Sequence, residues 1–225
     1  MKVFRLIALL GLAVPTLLAA GCEKQSVTPQ DIVQELRSLS GPPKELDWVD
    51  DPDPDKRREA IVALSAKPQC RKPPFTTFYV LELASDKDAL VRAAAARALG
   101  VVGDPNYLPP LVRALDDPSP VVRGDVAWAL DRVTGEAAVR PLCLQAVDDE
   151  SLDVRAACFR ALGHYPLAKV GKTLIRGLSD ADLSVRDQAH ATLVALAGED
   201  VGDRPEAWSV YLDRYAKTAG ATSKP

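Results

Sequence analysis

The chain has 225 residues, 47% hydrophobic and 26% charged, which is enough apolar matter for a buried core and excludes wholesale disorder. Aromatics make up only 5% while Ala, Leu and Val dominate, a mix that favours helices packed through small side chains over sheet. A net charge of −3 with no basic run excludes electrostatic capture of nucleic acid.

In chain order, the first element is a leader. "MKVFRLIALLGLAVPTLLAAGC" sets Lys2 and Arg5 before an apolar run from Leu6 to Ala20, then small residues before Cys22. This predicts a secretory signal peptide over 1–21. The run is short for a membrane span of about 20 residues, and Pro15 breaks it. The ending "LAAGC" resembles the bacterial lipobox, departing from it at Ala19, where that motif usually has Leu. The resemblance implies lipid attachment (palmitate among the acyl chains) at Cys22. It implies an exported cell-envelope lipoprotein that sits on a membrane without spanning it. Glu23 points to the outer membrane, facing the periplasm. The alternative is an ordinary signal peptide cut near Gly21, leaving Cys22 a stray thiol. Removing 1–21 takes away two positive charges, so the mature body is mildly acidic.

Residues 22–42 are read as the lipidated N-terminus and a leading helix. "TPQDIVQELRSL" (28–39) is that helix, with Thr28 as cap and Gly41-Pro42 ending it. A repeat then runs over 43–197. Aligning Arg57, Arg92, Arg123, Arg155 and Arg186 gives steps of 35, 31, 32 and 31 residues. Seven residues after each Arg stands Leu64, Leu99, Leu130, Leu162 or Leu193, and three after it Ala60, Ala95, Val126, Cys158 or Ala189. Val precedes the Arg in every copy but the first, where Lys56 stands instead. Six before each Arg lies Asp51, Asp86, Asp117, Asp149 or Asp180. These offsets describe an amphipathic helix. A second apolar stretch precedes each Asp, so one unit is helix A, a turn carrying Asp, and helix B. A hairpin of this kind cannot bury its apolar face alone, whereas stacked neighbours make one core.

The units fall near 43–66, 74–100, 105–131, 136–163 and 167–197. "KPQCRKPP" is an insertion that explains the 35-residue step. A C-terminal capping helix is expected over 203–217, with Trp208, Tyr211, Leu212 and Tyr215 on one face, followed by a disordered tail at 218–225.

Asp–x5–Arg, with Val before the Arg and Ala and Leu after it, resembles the HEAT repeat in its short bacterial form, also seen in phycobilisome-lyase-type proteins. The resemblance implies an all-α, right-handed α-solenoid of about five helical hairpins. It also implies a ladder of hydrogen bonds between the five Asp and five Arg named above, stronger than neutral bonds.

Chemistry is hard to find in this sequence. His164 and His190 are the two histidines and lie in different units, so no zinc-ligand spacing arises. No nucleophile elbow, phosphate loop or dinucleotide motif occurs, and neither an enzyme activity nor a cofactor or metal is expected. Cys143 and Cys158 share one unit and read either as a disulfide or as two small hydrophobes. Cys70, in the insertion, is the exposed thiol.

The expected function is a membrane-anchored scaffold that binds another protein through its concave helix-B face, with no nucleic acid. The alternatives are a lyase-like bilin-attachment role, which export disfavours, and a purely structural envelope part. Relative to each Arg, offsets +1, +4, +5 and +8 are expected to face outward. The candidate contacts are therefore Arg97, Trp128, Phe159, Arg160 and His190, a composition enriched in binding hot spots. The competing reading packs Trp128 on neighbouring helices and pairs the arginines with nearby acids.

Overall fold

The computed structural model describes residues 27–221, with side chains to 217. The expected signal peptide and Cys22 lie outside the described residues.

Helix α1 (Pro29–Arg37) leads, fixed by a capping box in which the Thr28 hydroxyl accepts from Asp31 N–H and the Asp31 carboxylate accepts from Thr28 N–H. Five units follow. The first has a 3-10 turn at Lys44–Trp48 in place of helix A, then α2 (Pro54–Ser65). The others pair α3 (Phe75–Ser85) with α4 (Ala89–Val102), and α5 (Leu108–Ala114) with α6 (Pro120–Leu130). Next come α7 (Glu136–Asp148) with α8 (Leu152–Ala161), and α9 (Leu167–Gly177) with α10 (Leu183–Ala197). Helix α11 (Pro205–Ala221) closes the stack. No strand occurs among the described residues, and no helix among them is long and apolar enough to cross a membrane.

Helix B starts at a cap two residues after the repeated Asp. Asp88 accepts from Leu90 and Val91 N–H at 2.8 and 3.1 Å, and Asp182 accepts from Ser184 N–H at 2.8 Å. Gly103 (φ 70°) and Gly198 (φ 79°) end α4 and α10 in the left-handed conformation. The repeated apolar offsets form the core: Val91, Ala95 and Leu99 in α4, Val154 and Cys158 in α8 and Leu162 just after it, all fully buried.

The helices stack in two layers, A on A and B on B, with B helices meeting one another more closely than A helices do. Small residues allow it. A Cβ added at Gly100 would stand 2.9 Å from the Ala129 Cα, and one at Gly177 would run into the Phe159 ring. The B layer is the more tightly packed of the two.

Three expectations change here. Residues 218–221 are helical, not a disordered tail, because α11 continues to Ala221 on a helix already docked by its buried Trp208. Cys70 is buried, not exposed: it lies in a 3-10 turn (Pro68–Cys70) under Tyr79, whose hydroxyl donates to its carbonyl at 3.3 Å. Offsets +1, +4 and +8 in α4 (Ala93, Ala96, Gly100) are buried as well, since an Ala-rich helix is wrapped by neighbours on both sides.

Candidate binding surface

A ladder of arginines and aspartates runs along the turns between helices A and B. Each arginine does two jobs. Its Nη1 donates back to the carbonyl of its own unit's Asp: Arg57 to Asp51, Arg92 to Asp86, Arg123 to Asp117, and Arg155 to Asp149, each at 2.9 Å. Its Nε and Nη2 donate forward, as a fork, to the carboxylate of the next unit. Those bidentate pairs are Arg57–Asp86, Arg92–Asp117, Arg123–Asp149 and Arg155–Asp180, at 2.7–3.0 Å. The same Oδ1 of each Asp also accepts the backbone N–H two residues on, for instance Ser151 N–H onto Asp149 at 2.8 Å. One carboxylate thus shapes its own turn and clasps the unit before it.

Burial works against the Asp149 carboxylate, but the Arg123 guanidinium and Ser151 N–H outweigh it and hold its pKa below the ordinary range. Asp117 is held down in the same manner by Arg92 and Ser119 N–H. Next to one rung lies Glu82, a buried acid whose pKa rises to about 8, first through burial and then through its bond to Asp86.

The ladder's two ends differ. No arginine among the described residues takes the Asp51 carboxylate. Lys56, the residue that breaks the repeated Val, donates to its Oδ2 at 3.1 Å instead. Arg186 keeps its backward bonds, to Asp180 and Ala181 carbonyls at 2.7 and 3.0 Å, yet no carboxylate among the described residues meets its forward edge.

The B layer holds a second feature. The half-buried Trp128 ring in α6 lies between two guanidiniums, with Arg132 Cζ 3.7 Å and Arg97 Cζ 4.9 Å from its centroid. Arg97 also donates to Asp125 at 2.8 Å. Arg160, one unit on, is exposed and makes no ion pair among the described residues. Arg132 escaped the sequence reading because it lies outside the repeat consensus, in the turn just after α6 ends at Leu130.

Two proposed contacts do not belong to this surface. Phe159 is 1% exposed, inserted between Gly177 and Ala189 of the next unit, because offset +4 faces forward along the stack and not outward. His190 is turned towards the cap, bonding Asp200 at 3.0 Å with its ring edge-on to Trp208. At the far end, Trp208 is fully buried and its Nε1 donates to the Gly202 carbonyl at 2.6 Å. The Tyr211 hydroxyl donates to Ala197, and Leu212 fills the space Gly171 leaves.

Cys70, Cys143 and Cys158 are free thiols, and burial pushes the Cys158 thiol well up, away from reactive thiolate. No group of three His, Cys, Asp or Glu converges to hold a metal among the described residues. His164 instead bridges units through Asp131 at 2.9 Å.

These features define a helical-repeat solenoid whose units are stapled by bidentate charge pairs. A family model described as HEAT repeats matches residues 77–144. Solved structures share the fold. A chain of the complex of CpcE and CpcF of phycocyanin lyase from Nostoc sp. PCC7120 aligns with a TM-score of 0.58 at 20% identity, over 82% of this chain and 71% of that one. A designed armadillo repeat protein in complex with the peptide (KR)4 aligns with a TM-score of 0.55 at 19% identity, over 83% and 90%. No curated protein sequence matches the chain.

Proposed function

We propose that this chain is a non-enzymatic scaffold that binds another protein through the inner surface of its B-helix layer, held at a membrane by lipid on Cys22. The observation that carries the reading is the Arg97–Trp128–Arg132 cluster, with the exposed Arg160 one unit on making no ion pair among the described residues. An aromatic ring held rigid by guanidiniums on the tighter side of a solenoid offers a contact anchor at small entropic cost. Chains of this fold are found in company: CpcE with CpcF, and the designed armadillo protein with a peptide. Export supports the anchor, resting on the sequence ending at Cys22.

The test replaces Trp128 by Ala and Arg160 by Glu together, then measures thermal stability and cross-linked partner capture from native membranes separately. Capture lost at an unchanged melting temperature supports the inner surface. Capture intact while the protein melts several degrees lower assigns Trp128 to the core alone. For the anchor, Cys22→Ala releases the chain from the membrane fraction or leaves it unprocessed; wild-type chain recovered wholly soluble sinks that part. Absorbance of the purified chain in the visible decides against or for the lyase-like pigment role.

A further inference from the structure

Four of the five ladder arginines show what the forward edge of this side chain is shaped to hold. In each, Nη1 is fixed on its own turn and the Nε–Nη2 edge takes an aspartate carboxylate standing at the start of the next unit's helix B. Arg186 has the same posture. Its Nη1 is pinned by two carbonyls, so the guanidinium plane is already set, and only the carboxylate is lacking among the described residues. This is a carboxylate site with four filled copies in the same molecule as its precedent.

The surroundings of Arg186 are also those of an unfinished joint. Helix α11 packs mainly on α9, continuing the A layer. It reaches α10 through Trp208 at His190 and Tyr211 at Ala197, both beyond the first turn of α10. That first turn carries Leu183 at 61% exposure, with Asp187 and Ala191 exposed after it. Among the described residues, the A layer is capped and the N-terminal part of the last B helix is not.

The opposite end is only loosely occupied: a second copy would have to offer Asp51, whose carboxylate already accepts from Lys56 at 3.1 Å. Among the described residues, the open fork of Arg186 therefore has no equally open carboxylate to match it on a second copy, which weighs against a head-to-tail array of identical chains.

We propose that Arg186 and the first turns of α10 form a docking site for another protein, which supplies an aspartate at the start of a helix and extends the B layer by one. Charge complementarity selects the occupant: a planar fork pairs with a carboxylate through two parallel bonds, with Asp187 the acidic neighbour that the incoming carboxylate must clear, and the exposed Leu183 and Ala191 suit a helix lying close. The site is distinct from the Trp128 surface, although both share the premise that the chain binds protein.

The probe is a synthetic peptide of residues 145–161 of this chain, which carries Asp149 ahead of the α8 sequence. The full chain is labelled with nitrogen-15, and arginine side-chain Nε–H signals are followed during titration. The Arg186 signal should move and saturate, while those of Arg92, Arg123 and Arg155 stay fixed because their forks are filled. A peptide carrying Asp149→Asn should bind about tenfold more weakly or worse, and so should the native peptide to a chain carrying Arg186→Gln. An unmoved Arg186 signal, equal affinity of the Asn peptide, or equal movement at the exposed Arg97 and Arg160 overturns the proposal. The peptide titration is independent of capture through Trp128, so loss of either result leaves the other to be judged alone. Concentration-dependent dimerisation of the untreated chain, abolished by Arg186→Gln, would overturn the foreign partner in favour of a second copy.

Discussion

The joint between the third and fourth units and the edge of the first unit carry the same repeated aspartate and behave differently. At the inner joint, Arg123 and Asp149 are both nearly buried, and their two parallel bonds of 2.7 and 2.8 Å are shut away from water. At the outer one, Asp51 faces Lys56, whose side chain is half exposed and whose single bond is 3.1 Å. Identical carboxylates in a repeat are therefore not equivalent. Their worth depends on what covers them, since exposed pairs gain little and buried ones leave a costly orphan when broken.

The largest effect should come from what covers the inner joints. Phe159→Ala removes a ring locked against Gly177 and Ala189 and should cost about 3–5 kcal/mol, read by chemical denaturation. A loss of under about 1 kcal/mol would mean that the fourth and fifth units are not packed through it. Next, Asp149→Ala should cost roughly 1–3 kcal/mol, while Asp51→Ala leaves the melting temperature unmoved. Equal losses at both positions would erase the contrast between inner and outer joints.

Smaller, and of opposite pH sense, is Glu82. The ladder aspartates have depressed pKa values, so their stabilisation is present above the unfolded carboxylate range and is lost as pH falls through the folded values. Glu82 is raised to about 8, so the native state holds its proton where the unfolded chain has given it up, and stability declines as pH climbs from the ordinary glutamate range towards 8. Glu82→Gln should flatten that slope and gain about 1–2 kcal/mol at the alkaline end. Melting curves across this range check it, and a variant with the parent's slope would place the titration elsewhere.

Much of the fold was legible because the repeat writes its own alignment. Asp at −6, Val at −1, Ala at +3 and Leu at +7 name the turn, the start of helix B and its buried stripe in one pass. The surface was less legible, for a physical reason. A single amphipathic helix has one buried face, whereas a helix in the middle of a stack touches its own partner and two neighbours. Offset +4 is therefore buried forward, and Phe159 reads as exposed only if the next unit is forgotten. Arg132 hid for the converse reason, being a residue outside the consensus that matters through Trp128. Lys56 was visible as the exception to a rule, but its job became clear only with Asp51 beside it.

The bidentate rung has a mechanical consequence. Two parallel bonds between planar groups resist rotation as well as separation, so each rung clamps the twist from one unit to the next at the rim of the stack, away from the apolar centre. Unlatching the rungs without melting the helices would leave the units joined by greasy faces that can swivel. The array would then behave as a loosened coil spring, changing its pitch and span at nearly constant helix content. Acid strong enough to reach the depressed range of the ladder aspartates should do this: small-angle X-ray scattering would register a longer molecule before circular dichroism registers an unfolded one.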